Sequence, residues 1–139
     1  MRAEELVKSI YLGDRGVKAL FIDIWDETVR IKIQKISRVR DPSGNWNFYT
    51  AEDIDDGIIL LEGVRSLSLT PPGFLPNDYI HGYEVRRLPG DDPDIFEFEM
   101  EIGSVDERAK TTAVTLRIVA KAMSLEDPSR PGLKIDYAT

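Results

Sequence analysis

The chain contains no cysteine and a single histidine, His81, among its 139 residues. Without cysteine there is no thiol nucleophile, no redox pair and no thiolate ligand for zinc. One histidine leaves little room for a His-based triad, and the sequence has no Gly-x-Ser-x-Gly elbow, Walker motif or dinucleotide fingerprint. We therefore expect no cofactor and no catalytic residue, with His81 at a partly exposed strand edge.

Acidic loops are present, but their spacing does not predict a metal site. Asp53-Ile-Asp-Asp-Gly57 begins like a calcium loop. An EF-hand needs ligands at loop positions 1, 3, 5 and 12 and glycine at position 6, whereas Gly57 occupies position 5 here. We interpret these residues as polar turns.

Basic residues are outnumbered, since 25 Asp and Glu against 18 Lys and Arg give a net charge of −7. Such a surface repels phosphate backbones, which argues against nucleic-acid binding and favours a basic protein partner. No apolar run reaches the roughly 20 residues that span a bilayer, and the N-terminus does not read as a signal peptide. We expect a cytoplasmic protein that does not bind membranes.

Period-two alternation dominates the chain and predicts strands. Val17–Ile24 is apolar on both faces, which is typical of a strand covered on both sides, and Val29–Ile33 reads as its half-buried hairpin partner across a tight reversal at Trp25–Thr28. In Phe96–Ile102 the apolar residues alternate with glutamates, and Thr112–Ala122 alternates in the same way.

Helical signals are few and short. Ala3–Tyr11 has helical spacing, and Thr50–Asp53 and Ser104–Glu107 resemble capping boxes that open single helical turns. We therefore predict an antiparallel β-sandwich or open barrel of about seven to eight strands with a short N-terminal helix. We expect residues 1–125 to form one β-rich domain and residues 126–139, with their prolines and glycine, to form an extended or mobile tail.

Glu97, Glu99 and Glu101 lie on one face of a predicted strand. Carboxylates at alternate positions of a strand repel one another, so cations on other strands are expected to pair with them across a solvated sheet face. The candidates are Arg30 and Lys32 on an early strand and Arg117 and Lys121 on the last strand. The alternative is an acidic docking surface for a basic partner, with these three residues steering the encounter.

Aromatic residues cluster at Trp46, Phe48 and Tyr49. In a β domain such residues usually belong to the core, but exposed Trp46 and Tyr49 would suit a protein-binding hot spot. The proline-rich segment Leu75–Tyr79 is either a strap that closes one end of the fold or a functional loop.

Three segments carry a resemblance: Tyr11-Leu-Gly-Asp14, the hairpin from Val17 to Ile33, and Gly44-Asn-Trp-Asn-Phe-Tyr49. Over about the first 80 residues the chain resembles small bacterial single-domain proteins of unknown function, some of which resemble immunity proteins of polymorphic toxin systems. The resemblance implies a non-enzymatic protein that acts by binding.

The function expected from the sequence is a non-catalytic protein-binding module, with an immunity protein that neutralises a cognate toxin as its narrower form. Its predicted partner-binding residues are Glu97, Glu99, Glu101, Trp46 and Tyr49. Two alternatives stay open. One is a small enzyme with a site built on His81 and a carboxylate in a β-sandwich cleft. The other is a structural homo-oligomer that pairs sheet edges or exposed aromatics.

Overall fold

The computed structural model describes residues 2–39 and 52–136. These residues form one short helix and twelve strands. In chain order the elements are α1 (Ala3–Lys8), β1 (Ile10–Tyr11), β2 (Val17–Asp23), β3 (Thr28–Ile33), β4 (Lys35–Arg38), β5 (Glu52–Asp55), β6 (Ile58–Glu62), β7 (Ser66–Thr70), β8 (Ile80–Arg87), β9 (Phe96–Val105), β10 (Thr111–Ala120), β11 (Ala122–Glu126) and β12 (Lys134–Ile135).

The strands build three antiparallel sheets, with orders β1-β4-β5, β7-β10-β9-β8 and β12-β11-β6-β3-β2. Within the described ranges no sheet closes into a barrel, and the mainly β architecture is consistent with a β-sandwich. The predicted fold class is therefore confirmed, although the number of strands is higher than predicted.

Two strand pairs carry the chain around a corner from the five-stranded sheet to the four-stranded sheet. The pair β6–β11 continues into the pair β7–β10, and the Lys121 N–H donates to the Glu62 carbonyl at 2.9 Å where the pairs meet. Gly63 supplies the bend with a φ of +62°. Strands that switch sheets at such bends are a recurrent way to close a sandwich.

The core lies between the sheets and follows the period-two pattern of the sequence. On β9 the alternate side chains Phe96, Phe98, Met100 and Ile102 are fully buried, and β10 contributes Val114, Leu116, Ile118 and Ala120 in the same way. The inward and outward faces of both strands are therefore as predicted. These apolar positions stabilise the fold by removing their surface from water.

The strand β2 departs from the prediction of a strand covered on both sides. Among the described residues it pairs with β3 alone, at the edge of the five-stranded sheet. Its side chains Phe21 and Ile22 are 52% and 56% exposed. The prediction failed because a buried central strand and an apolar edge strand share the same sequence pattern.

Both predicted helical turns are wrong over the described residues; Thr50 and Ala51, at the start of the first, lie outside them. Glu52 and Asp53 belong to β5, where Ser37 pairs with Asp53 across the β4–β5 ladder. Ser104 lies in β9, which continues to Val105 before the chain turns. In both places cross-strand pairing outweighs a local capping signal, since a single helical turn gains little by itself.

Both termini of the described chain are attached to the sandwich. The helix α1 ends at Lys8, earlier than predicted, because Ile10 and Tyr11 pair with β4 as β1. In the segment assigned to a tail, residues 126–139, Ile135 has a buried side chain and pairs with Leu125 of β11.

Candidate protein-interaction surfaces

The acidic face of β9 is paired with two arginines on the neighbouring strands. The Arg86 guanidinium on β8 donates to Glu99 at 2.8 Å and also contacts Glu84 and Glu97. From the other side, Arg117 on β10 donates to Glu99 at 3.1 Å. This arrangement is cross-strand charge pairing. Of the cations expected to take part, Arg117 does so, whereas Arg30 pairs with Glu126 and Lys121 with Asp92. Arg86 was not among the expected cations.

The carboxyl of Glu99 lies at the centre of this charge ladder. Burial acts to raise its pKa, but the hydrogen bonds that Glu99 accepts, including that of Arg86, outweigh burial and lower the pKa below its usual value. The side chains of Glu97 and Glu99 are only 20% exposed. The negative charges of Glu97 and Glu99 are therefore largely neutralised by Arg86 and Arg117 within the sheet.

Glu101 lies beyond the ladder and is half-exposed, with His81 Nδ1 3.8 Å from its carboxylate. His81 occupies the irregular step between Ile80 and Gly82 in the β8–β9 register, and its side chain is also half-exposed. Gly82 has no side chain, which leaves a recess of about 320 Å³ lined in part by Glu84, Glu99 and Glu101. Open and acidic, the recess fits a cationic side chain better than a neutral ligand.

Metal binding finds no support in the described ranges. There, no group of three or more His, Cys, Asp or Glu side chains could hold a metal ion. The predicted anchors Trp46 and Tyr49 lie outside the described residues.

Four apolar side chains of the β2–β3 hairpin are exposed, and we call this set the hairpin patch: Phe21, Ile22, Ile24 and Trp25. Ile24 is 86% exposed and Trp25 is 94% exposed, at the reversal between the two strands. Single exposed apolar residues are normal, but four in a stretch of five residues on one hairpin are typical of an interaction surface. The sequence analysis did not predict the hairpin patch. Two large apolar residues, Ile24 and Trp25, next to each other at a tight reversal could have indicated it, because side chains at such a reversal are usually exposed.

Local hydrogen bonding shapes the tip of this hairpin. The Asp23 carboxylate accepts from the Asp26 N–H at 2.9 Å, and Glu27 adopts a left-handed φ of +55°. Arg65, on the corner segment, lies 3.8 Å from the Glu27 carboxylate. The tip is thus a defined turn that presents Trp25 between acidic side chains.

The proline-rich segment near residues 71–79 acts as a strap. The Asn77 side-chain amide donates to the Val105 carbonyl at 3.0 Å, and the Val105 N–H donates to the Asn77 amide oxygen at 2.8 Å. These bonds fasten the segment across the end of β9. Leu75 nevertheless remains 79% exposed, which makes it a useful comparison residue for the hairpin patch.

Comparison with known proteins places the chain in a family without an assigned role. Residues 1–137 match the model of a family of unknown function, DUF6258, and the chain belongs to that family. Neither the curated proteins nor the solved structures include a significant match. Across the described residues, no helix has the length and apolar character needed to cross a membrane.

Proposed function

We propose that this protein is a non-catalytic protein-binding module that uses the hairpin patch as its contact surface. The observation that carries the proposal is the exposure of Trp25 and Ile24 at the tip of a well-formed hairpin. Trp side chains dominate the binding energy of many interfaces because they bury a large rigid surface when a partner pocket encloses them. Alternate side chains of β3 beneath the tip, Val29, Ile31 and Ile33, are buried in the core, so the hairpin offers a preorganised support.

Charge around the patch indicates what kind of partner fits. Asp23, Asp26 and Glu27 lie next to the apolar tip in a protein with a net charge of −7. Anionic lipid headgroups would repel these side chains, which argues against membrane insertion by the tip. A protein pocket with an apolar floor and a basic rim matches both features, and opposite charge would speed the encounter.

The narrower form of the proposal is an immunity protein that occupies the active face of a basic toxin, in the bacterial cytoplasm. It is supported by the acidic surface and by the resemblance of the first 80 or so residues. Glu97, Glu99 and Glu101 as steering residues, and Trp46 and Tyr49 as anchors, stay predictions. Of the three glutamates, Glu101 is the best placed to act on a partner because its side chain is half-exposed.

The proposal is tested by affinity capture with three tagged proteins: the wild type, Trp25→Ala and Leu75→Ala. Each is incubated with lysate of the source cells at low and at high salt, and the bound proteins are identified by mass spectrometry. We expect one partner that the wild type and Leu75→Ala retain and Trp25→Ala loses, with weaker capture at high salt.

Titration with the purified partner then gives the size of the effect. Loss of a tryptophan hot spot costs about 2 kcal/mol or more, so Trp25→Ala should raise Kd at least roughly 30-fold. A partner bound equally by Trp25→Ala and the wild type would remove the hairpin patch from the binding surface. The identity of the partner decides whether the protein is an immunity protein. That narrower proposal requires the captured partner to be a toxin whose activity this protein blocks.

A further inference from the structure

No strand within residues 2–39 and 52–136 pairs with the outer edge of β2. Among the described residues the strand pairs with β3 on one side only, so its other side presents unpaired backbone donors and acceptors. An open edge of this kind accepts another strand through main-chain hydrogen bonds. Phe21 and Ile22, both more than half exposed, lie on opposite faces of this edge.

We propose that the occupant of this edge is β2 of a second copy of the chain, paired antiparallel about a two-fold axis at Phe21. The inference rests on the proposed function, since it assigns an occupant to the strand part of the hairpin patch and leaves Ile24 and Trp25 for a different partner. The resulting interface is isologous, with the same strand contributed by both copies.

The position of the axis follows from the regular part of β2. Its register with β3 is continuous from Ala19 to Asp23 and is broken between Val17 and Ala19. A register break of this kind twists a strand and disrupts pairing on its free side, so the usable edge is the five-residue segment. Two antiparallel copies of that segment form the longest ladder when its middle residue, Phe21, lies opposite itself.

This register also brings matching side chains together. A two-fold axis perpendicular to the sheet keeps each face continuous, so Leu20 lies opposite Ile22 of the second copy on the core side. Leu20 already packs against the core, and it would extend that apolar surface to cover Ile22. On the other face, the two Phe21 side chains meet as an aromatic cross-strand pair.

Charge is complementary in the same register. Asp23 of the second copy lies opposite Ala19, which is flanked by Lys18 on its own strand and faces Lys32 on β3. The Lys18 ammonium already donates to Asp56 of its own chain at 2.6 Å, so the carboxylate of each copy is expected to pair with Lys32 of the other copy, across Ala19. The symmetry repeats this contact, which offsets the overall repulsion between two proteins of net charge −7.

The contact is short, and this sets the expected affinity. Five residues of strand span about 17 Å. The area buried per copy falls below the roughly 800 Å² of a standard stable interface, so we expect a dimer with Kd in the micromolar to millimolar range. Sedimentation equilibrium should show monomer at low concentration and dimer at high concentration.

Single cysteines test the register directly, because the natural chain contains none. Ala19→Cys and Asp23→Cys proteins are prepared separately, one with a mass tag, and are oxidised with oxidised glutathione alone or as a mixture. In the proposed register a Cys at 19 lies opposite a Cys at 23 of the other copy, within reach of a disulfide. Two copies of the same variant keep their thiols about 13 Å apart, too far for a disulfide.

We expect a disulfide-linked dimer from the mixture and at least tenfold less from either variant alone. Equal cross-linking in all three samples, or none in the mixture at protein concentrations up to about 1 mM, would overturn the proposal. Asp23→Asn keeps a side-chain oxygen that can accept the Asp26 N–H and removes only the charge, so it should also weaken the dimer, and unchanged sedimentation of this variant would count against the register. Trp25 lies outside the ladder, so the Trp25→Ala protein should dimerise like the wild type. Loss of dimerisation and loss of partner capture can therefore be told apart.

Discussion

The hydroxyl of Tyr83 on β8 donates a hydrogen bond of 2.9 Å to the carbonyl oxygen of Ile10 on β1. The same hydroxyl accepts a bond of 3.3 Å from the Leu12 N–H. One side chain of the four-stranded sheet thereby satisfies two backbone groups of the N-terminal segment. Burial of the ring raises the pKa of Tyr83 above its usual value, so the hydroxyl stays protonated and able to donate.

Tyr83→Phe should lower the free energy of unfolding by about 1–2 kcal/mol, because it leaves both backbone groups without their side-chain partner. Urea denaturation followed by circular dichroism measures the change. Tyr79→Phe is the matched control, since Tyr79 is 53% exposed. Equal stability of the two variants would mean that water replaces the Tyr83 hydroxyl at no cost.

Glu4→Gln should weaken the attachment of α1 to β8. The Arg87 guanidinium, which donates to the Glu4 carboxylate at 2.8 Å, lowers the pKa of Glu4 from 4.5 to about 2. Because the folded-state pKa lies below the unfolded-state value, the pair stabilises fully above pH 4.5 and loses this contribution as the pH falls toward 2.

The measurement is the free energy of unfolding of the wild type, Glu4→Gln and the exposed control Glu5→Gln across this pH range. Glu4→Gln should be less stable than the wild type by about 1 kcal/mol near neutral pH, given that both partners are partly exposed. The difference should disappear toward the lower end of the range, whereas Glu5→Gln should follow the wild type throughout. A difference that persists in acid would indicate lost packing rather than a lost ion pair.

Arg86→Ala should destabilise the four-stranded sheet by leaving Glu97 and Glu99 with Arg117 as their remaining cation. Neighbouring carboxylates on one strand repel each other, and salt screens that repulsion. The thermal midpoint of Arg86→Ala should therefore be lower than that of the wild type at low salt and approach it at high salt. Arg108→Ala, at an exposed turn, is the control and should show no salt-dependent loss.

Gly63→Ala should destabilise the corner between the two large sheets. The backbone there has a φ of +62°, and an added Cβ would lie 3.0 Å from the Lys121 Cβ. The left-handed conformation alone costs a residue with a Cβ about 1–2 kcal/mol. Gly82→Ala is the control, since nothing lies within 4 Å of its Cβ position. Equal denaturation midpoints for the two variants would show that the corner tolerates a side chain.

Much of the strand content could be predicted from local patterns. Phe96 and Phe98 alternate with Glu97 and Glu99, and this period of two both defines β9 and separates its buried face from its charged face. The hairpin around Trp25 was readable for the same reason, because neighbouring residues in the sequence determine it. The capping signals of Thr50–Asp53 and Ser104–Glu107 were misleading, because cross-strand pairing with distant residues competes with them and a short stretch of sequence does not reveal that pairing.

The candidate surface depended on contacts between residues distant in the sequence. The apolar pattern of Val17–Ile24 was visible in the sequence, but whether a second strand covers it depends on which strands pair. Loops of different lengths are compatible with many strand orders, so the sequence alone does not decide this. The sequence alone determined that this is an acidic, cysteine-free, strand-rich chain with one anionic strand face. The tertiary structure decided that Arg86 lies against Glu99 and that Phe21 and Ile22 lie on an open edge, because strand order and register arise from packing across the whole sheet.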